Sequence, residues 1–186
     1  DLKADCYAAS DLAFHLGNQT DLALDSFAPT ENCAWRKKLL QGEVHDDNTW
    51  ALGGISSHAG LFGSLDDLSA YGLLLRAQYL GEAQAQRGVV SETTARLFAR
   101  RALAPLLGDW ALGYMLPTPG AASCGQYFGP ASIGHTGFTG TSLWFDPQRD
   151  LLVLMLSNRV LYGRDNKAFN LLRPQIHDWI VEILTP

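Results

Sequence analysis

Two apolar runs near the end of the chain, Thr141 to Phe145 and Leu151 to Ser157, are joined by the polar stretch Asp146-Pro147-Gln148-Arg149-Asp150. The join is of hairpin length, so the two runs are expected to lie antiparallel as neighbours in one sheet. Ile133 to Gly137 reads as a third strand of the same kind. The run ending at Ser157 is apolar on both faces, as expected of a central strand covered by helices on both sides. Beyond it, Phe169, Leu172, Ile176, Trp179, Ile180, Ile183 and Leu184 recur at spacings of three and four, an amphipathic helix whose apolar stripe needs the sheet as its partner. Pro174 fits only if that helix begins near Asn170, where a missing N–H falls in the first turn. These patterns confine the chain to a mixed α+β class with an antiparallel sheet flanked by helices.

Upstream, Ser64 stands before Asp66, Asp67 and an apolar run with Leu68, Tyr71 and Leu75 at helical spacing, so a helix is expected from Ser64 to about Tyr79. A second is expected from Ser91 to about Arg101, with a basic exposed face. After Leu107 the period drops to two, and Trp110, Leu112, Tyr114 and Leu116 read as a strand that Pro117 stops. Residues 1–50 read as loops with short helices, one of them a turn or two over Asp11 to Leu16. Trp35-Arg36-Lys37-Lys38, the one basic cluster, is expected on a solvated face. The organisation expected is a loop and helical part over 1–108 that lines a cleft, and strands plus a closing helix over 109–186.

Composition narrows the function. With 186 residues and 47% of them hydrophobic, one core can form without metal or disulfide staples. Fourteen Lys and Arg against nineteen Asp and Glu leave a net charge of −5, which argues against nucleic acid as a partner. No run reaches the ~20 apolar residues that a membrane-spanning helix needs. Cys6, Cys33 and Cys124 form no Cys-x-x-Cys pair, so neither a zinc site nor a redox motif is expected, and no cofactor is called for. The first residue, Asp1, reads as a cut rather than a translation start.

Two stretches are rich in chemistry. Gly134-His135-Thr136-Gly137-Phe138-Thr139-Gly140 places three glycines in or beside a strand, where glycine costs entropy and adds no packing. Either another backbone or a ligand comes close, or the strand bends there and His135 is an ordinary surface histidine. In Glu43-Val44-His45-Asp46-Asp47-Asn48, with His58 following, no spacing puts two metal ligands on one face. Asp46 and Asp47 are instead expected to cap the turn before Trp50, and Trp50 to belong to the core.

Taken together, His135-Thr136-Gly137 at the start of a strand, the hairpin from Ser142 to Asn158, the terminal helix, and upstream Gly53-Gly54 to Gly60-Leu61-Phe62 with Asp66-Asp67-Leu68 resemble the serine β-lactamase-like superfamily, in its penicillin-binding and esterase branch. The resemblance covers about residues 27–186 and implies a β-lactamase/transpeptidase-like fold of which this chain is the C-terminal part. It implies that His135, Thr136 and Gly137 form one wall of the active site, that the Phe138 N–H serves an oxyanion, that Thr139 adjoins the substrate, and that His45 lines the cleft. A threonine hydroxyl and a bare strand edge suit an extended acyl substrate on independent physical grounds.

Where many relatives carry lysine this chain has His135, and an ordinary imidazole is mostly neutral at pH 7. The expectation is that a fixed charge for a substrate carboxylate is missing, and that esters, small amides and D-amino acid peptides are better substrates than β-lactams. No Ser-x-x-Lys, Tyr-x-Asn or Gly-x-Ser-x-Gly occurs in the chain. The expected function is therefore the C-terminal portion of a serine hydrolase whose Ser-x-x-Lys serine lies upstream. The rival reading is a non-catalytic module that binds a peptide or a peptidoglycan-like ligand in the same cleft. A weaker third makes His45, Asp46, Asp47 and His58 a metal site. A sheet edge left uncovered would permit a dimer through that edge.

Overall fold

The computed structural model describes residues 15–16, 23–82 and 90–184. Three strands carry the centre of the fold: β5 (Ile133–Thr136), β6 (Ser142–Asp146) and β7 (Leu151–Met155), antiparallel in the order β5-β6-β7. The expected hairpin is β6–β7, with Ser142 opposite Met155 and Asp146 opposite Leu151. Its turn is closed by Asp146, fully buried, which accepts the Gln148 N–H at 2.9 Å and the Gly129 N–H at 3.0 Å and pairs with Arg149 at 2.8 Å.

Strand order differs from expectation. The strand with five buried residues is β6, and β7 lies at the edge of the described sheet. Both faces of β7 are nonetheless covered, which is why its sequence reads as a central strand. On one face Leu152 and Leu154 join Leu143 and Phe145 against Leu75. On the other, Leu151, Val153 and Met155 join Trp144 against Val181 and Ile180. Truncating a fully buried ring such as Phe145 should cost about 3–5 kcal/mol.

The helix that supplies Leu75 is Leu65–Leu80, closed at its start by a reciprocal box in which the Ser64 hydroxyl accepts the Asp67 N–H and Asp67 accepts the Ser64 N–H, and at its end by Gly81 in the left-handed region. It follows Asp47–Ala51, so the two are α1 and α2, and α3 is Glu92–Phe98, capped by Ser91 and three residues shorter than expected. The closing helix, α4 (Ala168–Leu184), begins two residues before the expected Asn170, and Pro174 falls in its second turn. The Asn166 carboxamide oxygen accepts the Ala168 N–H at 3.1 Å and sets the earlier start. Packing of Val181 and Ile180 on the sheet offsets the hydrogen bond that proline forfeits.

Residues 110–116 do not form the expected strand. Gly113, at φ 91°, turns the chain, Ala111 N–H reaches Tyr114 O at 2.9 Å, and a single residue, Met115, pairs with Gly134 on the outer edge of β5. Two short ladders complete the strands: β1 (His15–Leu16) with β4 (Leu61–Phe62), and β2 (Glu31–Cys33) with β3 (Lys38–Leu40). The expected helical turn over 11–16 falls mostly outside the described residues, and its last two positions are β1. Cys6 also lies outside them; Cys33 and Cys124 are buried free thiols, and burial pushes Cys124 up to about 12.

The basic cluster is solvated at Lys37 and Lys38, as expected, and departs from expectation at Arg36. Arg36 is not solvated: its side chain is 1% exposed, it pairs with Glu43 at 3.0 Å and Asp47 at 2.8 Å, and its guanidinium lies 5.0 and 4.8 Å from the rings of Trp35 and Trp50. Trp50, expected in the core, is instead 37% exposed, because it closes over this cation.

Candidate active site

The last residues of β5 and the turn that follows form the candidate site. Gly134 spends its N–H and C=O on Met115 (3.1 and 2.7 Å), so the alternation of an antiparallel ladder turns the backbone groups of Thr136 to the same outer edge, just past the point where Met115 ends. The turn is tied from several directions. Gly140 N–H donates to Gly137 O at 3.0 Å, Arg159 N–H to Thr139 O at 2.9 Å, and both the Ser157 hydroxyl (2.9 Å) and Arg173 Nη2 (3.1 Å) to Gly140 O. The Phe138 N–H donates to no acceptor among the described residues.

The three glycines answer the question the sequence left open. A side chain at Gly134 would strike the Trp144 ring and Leu143 O, one at Gly137 the Thr141 hydroxyl, and one at Gly140, where φ is +114°, the Ser157 hydroxyl. Internal packing is reason enough for all three, and none of them needs a ligand.

A cleft of about 490 Å³ opens beside the turn, lined by Ser123, Thr136, Gly137, Phe138, Arg159, Asn170 and Arg173. Of the residues picked out in the sequence, Thr136, Gly137 and Phe138 meet there. His135 does not line it: its ring packs against Trp110 with centroids 5.8 Å apart, and Nδ1–H donates to Thr136 O at 2.9 Å. Thr139 contributes its bound carbonyl to the turn. His45, 8% exposed, stands behind the cleft and stacks on Phe138 at 5.5 Å and 26°. Its Nε2 lies 3.0 Å from Glu31 Oε2, close enough for charge contact though outside hydrogen-bond geometry. Burial outweighs Glu31 and pushes the imidazole below its ordinary range.

Asp46 and Asp47 do what was expected of them in part: Asp46 caps α1 by accepting the Thr49 N–H at 2.8 Å, whereas Asp47 pairs with Arg36 and Arg164. His58 pairs with Asp46 at 3.1 Å. Among the described residues no three His, Cys, Asp or Glu are grouped to hold a metal ion.

Sequence reasoning missed Arg159, Asn170 and Arg173. The fixed positive charge absent at position 135 is present in the cleft as two guanidiniums, and neither pairs with a carboxylate among the described residues. Arg159 donates to Asn166 O at 3.0 Å, and Arg173, 5% exposed, donates to Gly140 O. Burial, with the nearby charge of Arg159 behind it, lowers the Arg173 pKa. A signal existed: Asn170 and Arg173 are three apart on one helix, hence on one face, and Arg173 interrupts an apolar stripe.

A family model described as Beta-lactamase matches residues 16–175. The chain is 31% identical over 159 residues to proteins named "Putative D-alanyl-D-alanine carboxypeptidase" from Salmonella newport (strain SL254) and Salmonella agona (strain SL483), a match covering 79% of this chain and 35% of each of theirs. It thus spans about a third of the length of the curated relatives it matches. Among solved structures, a beta-lactamase from Mycobacterium bovis is similar with a TM-score of 0.52 and 20% identity over 74% of this chain and 53% of that one. EstCE1, described as a hydrolase with promiscuous acyltransferase activity, is similar at 0.54 and 15% over 92% of this chain and 49% of that one. Both likenesses concern the fold, an antiparallel sheet with helices against it. The chain belongs to the Beta-lactamase family.

Proposed function

We propose that this chain is the substrate-holding C-terminal part of a serine hydrolase that cleaves peptides with a free C-terminal carboxylate, D-amino acid peptides among them, through an acyl-enzyme on an upstream Ser-x-x-Lys serine. One observation carries the substrate class: Arg159 and Arg173 face one cleft without carboxylate partners among the described residues. Two unneutralised guanidiniums side by side cost free energy that a bound anion repays, with charge-assisted hydrogen bonds as the gain. A neutral ester or small amide leaves them unmatched, so within the range of substrates expected from the sequence the peptide acid is favoured. The relatives' name supports the same class.

In this reading the substrate extends along the outer edge of β5 at Thr136, whose hydroxyl turns from the Met115 sulfur, 3.8 Å away, to donate to it. Its carboxylate lies toward Arg159 and Arg173, and its scissile carbonyl oxygen takes the Phe138 N–H, where negative charge develops as the serine attacks. The coverage of relatives and of structural neighbours, about half or less of each, supports a nucleophile carried on sequence upstream of this chain.

The test is intact mass after exposure to a fluorophosphonate and, separately, to a penicillin, for this chain and for the protein extended with the segment encoded before it. The expected result is one stoichiometric adduct on the extended protein and none on this chain. An adduct on this chain would place a nucleophile within it and overturn the upstream serine. Absence of labelling in both, with D-alanyl-D-alanine still bound, would favour the binding module.

A further inference from the structure

Phe138 is 56% exposed at the tip of a turn, a position where an aromatic ring would ordinarily be free to change rotamer. Here two groups hold it: the His45 ring, stacked at 5.5 Å, and the Arg159 guanidinium, 4.8 Å from its centroid. His45 is itself immobilised by residues that do not line the cleft. Arg36 Nη2 donates to its carbonyl at 3.0 Å, Glu31 sits at its Nε2, and Arg164 grips both Glu31 (2.9 Å) and Asp47 (2.8 Å). The imidazole therefore turns a face to Phe138 and Nε2 to Glu31, which suits support rather than proton transfer.

We propose that His45 is a positioning residue: by stacking on Phe138 it holds the turn at residues 137–140 so that the Phe138 N–H stays available to the substrate carbonyl. The proposal rests on the reading of that N–H as the donor to the reacting oxygen. It requires an aromatic face at position 45 and does not require a titratable group there.

Two measurements test it. The first is ¹⁵N relaxation of the Phe138 and Thr139 amides in this chain. His45→Ala should loosen both and His45→Phe should restore them; unchanged order in His45→Ala overturns the proposal. The second is the fluorophosphonate labelling rate in whichever form labels. His45→Ala should slow labelling about tenfold or more, as a displaced donor does, with D-alanyl-D-alanine affinity little changed, and His45→Phe should recover most of the rate. Equal slowing in both variants, or wild-type labelling by His45→Ala, overturns it. If the wild-type protein never labels, the donor reading fails by itself, and the relaxation data still decide whether His45 positions the turn.

Discussion

Two groups of arginines sit within one fold and are treated in opposite ways. Around β2, β3 and α1, each guanidinium is neutralised: Arg36 by Glu43 and Asp47, and Arg164 by Glu31 and Asp47 across more than a hundred residues of sequence. Beside β5, Arg159 and Arg173 hydrogen-bond only to carbonyls among the described residues and lie over the rings of Phe138 and Phe169. The difference separates architecture from recognition. A cation with matched anions joins two stretches of chain, whereas half-buried Arg159 and buried Arg173, without anions among the described residues, leave a charge for something else to match. The two regions meet at His45, held by the first and stacked against the second.

The sharpest way to break this contrast is to remove a cation from each side. Arg36→Ala removes one of two cations from each of Glu43 and Asp47 and leaves the Val44 and His45 carbonyls without their donor, and it should cost about 2–3 kcal/mol of stability in urea unfolding; a loss below about 1 kcal/mol would mean that this ion-pair lattice is not structural. Arg173→Ala should change stability by no more than about 1 kcal/mol, because no carboxylate is left unpaired. It should instead weaken calorimetric binding of D-alanyl-D-alanine by about tenfold or more, with little effect on the C-terminal amide of the same dipeptide. Equal loss for acid and amide would sink the carboxylate reading.

Acid should reveal the lattice in two steps. His45 and fully buried His177 are held below the ordinary value of 6.5 by burial, so they favour the neutral form. Their contribution is complete above 6.5 and is lost as pH falls below it. Glu31 and Asp47 are held low chiefly by hydrogen bonds from Arg164, Asp47 to about 2. Their contribution is complete above their ordinary values of 4.5 and 3.8 and is lost as pH falls through their folded values, toward 2 for Asp47. Solvent screening keeps the Asp47 part on the order of 1 kcal/mol or less, since its side chain is 37% exposed. Arg164→Ala should flatten the lower step in a Tm against pH series and leave the upper one; an unchanged lower step would assign it elsewhere. The smallest effect is expected of Lys38→Ala, which removes a 53% exposed partner of Glu43 and should change unfolding free energy by less than about 0.5 kcal/mol.

The legible part of the molecule was local. The β6–β7 hairpin, the Ser64 and Ser91 caps, the Asp46 cap and a strand from Ile133 all follow from residues within a few positions of one another, whereas His135 and Thr136 end that strand rather than start it. The failures share a cause. Residues 110–116 alternate as a strand does, but Gly113 turns them. β7 reads as central because helices cover both its faces, although β6 has the two strand neighbours.

What the sequence by itself determined is therefore the longer helices, the three strands of the central sheet and the turn beside the cleft, because periodicity, capping and turn chemistry act over a few residues. Tertiary structure alone decided which charges meet. Arg164 reaches Glu31 across 133 positions, His45 reaches Phe138 from another part of the chain, and Arg159 and Arg173 come to the cleft with no acid paired to them among the described residues. Whether an arginine holds the fold or waits for a ligand depends on the anion within a few ångströms, and only the folded chain supplies or withholds it.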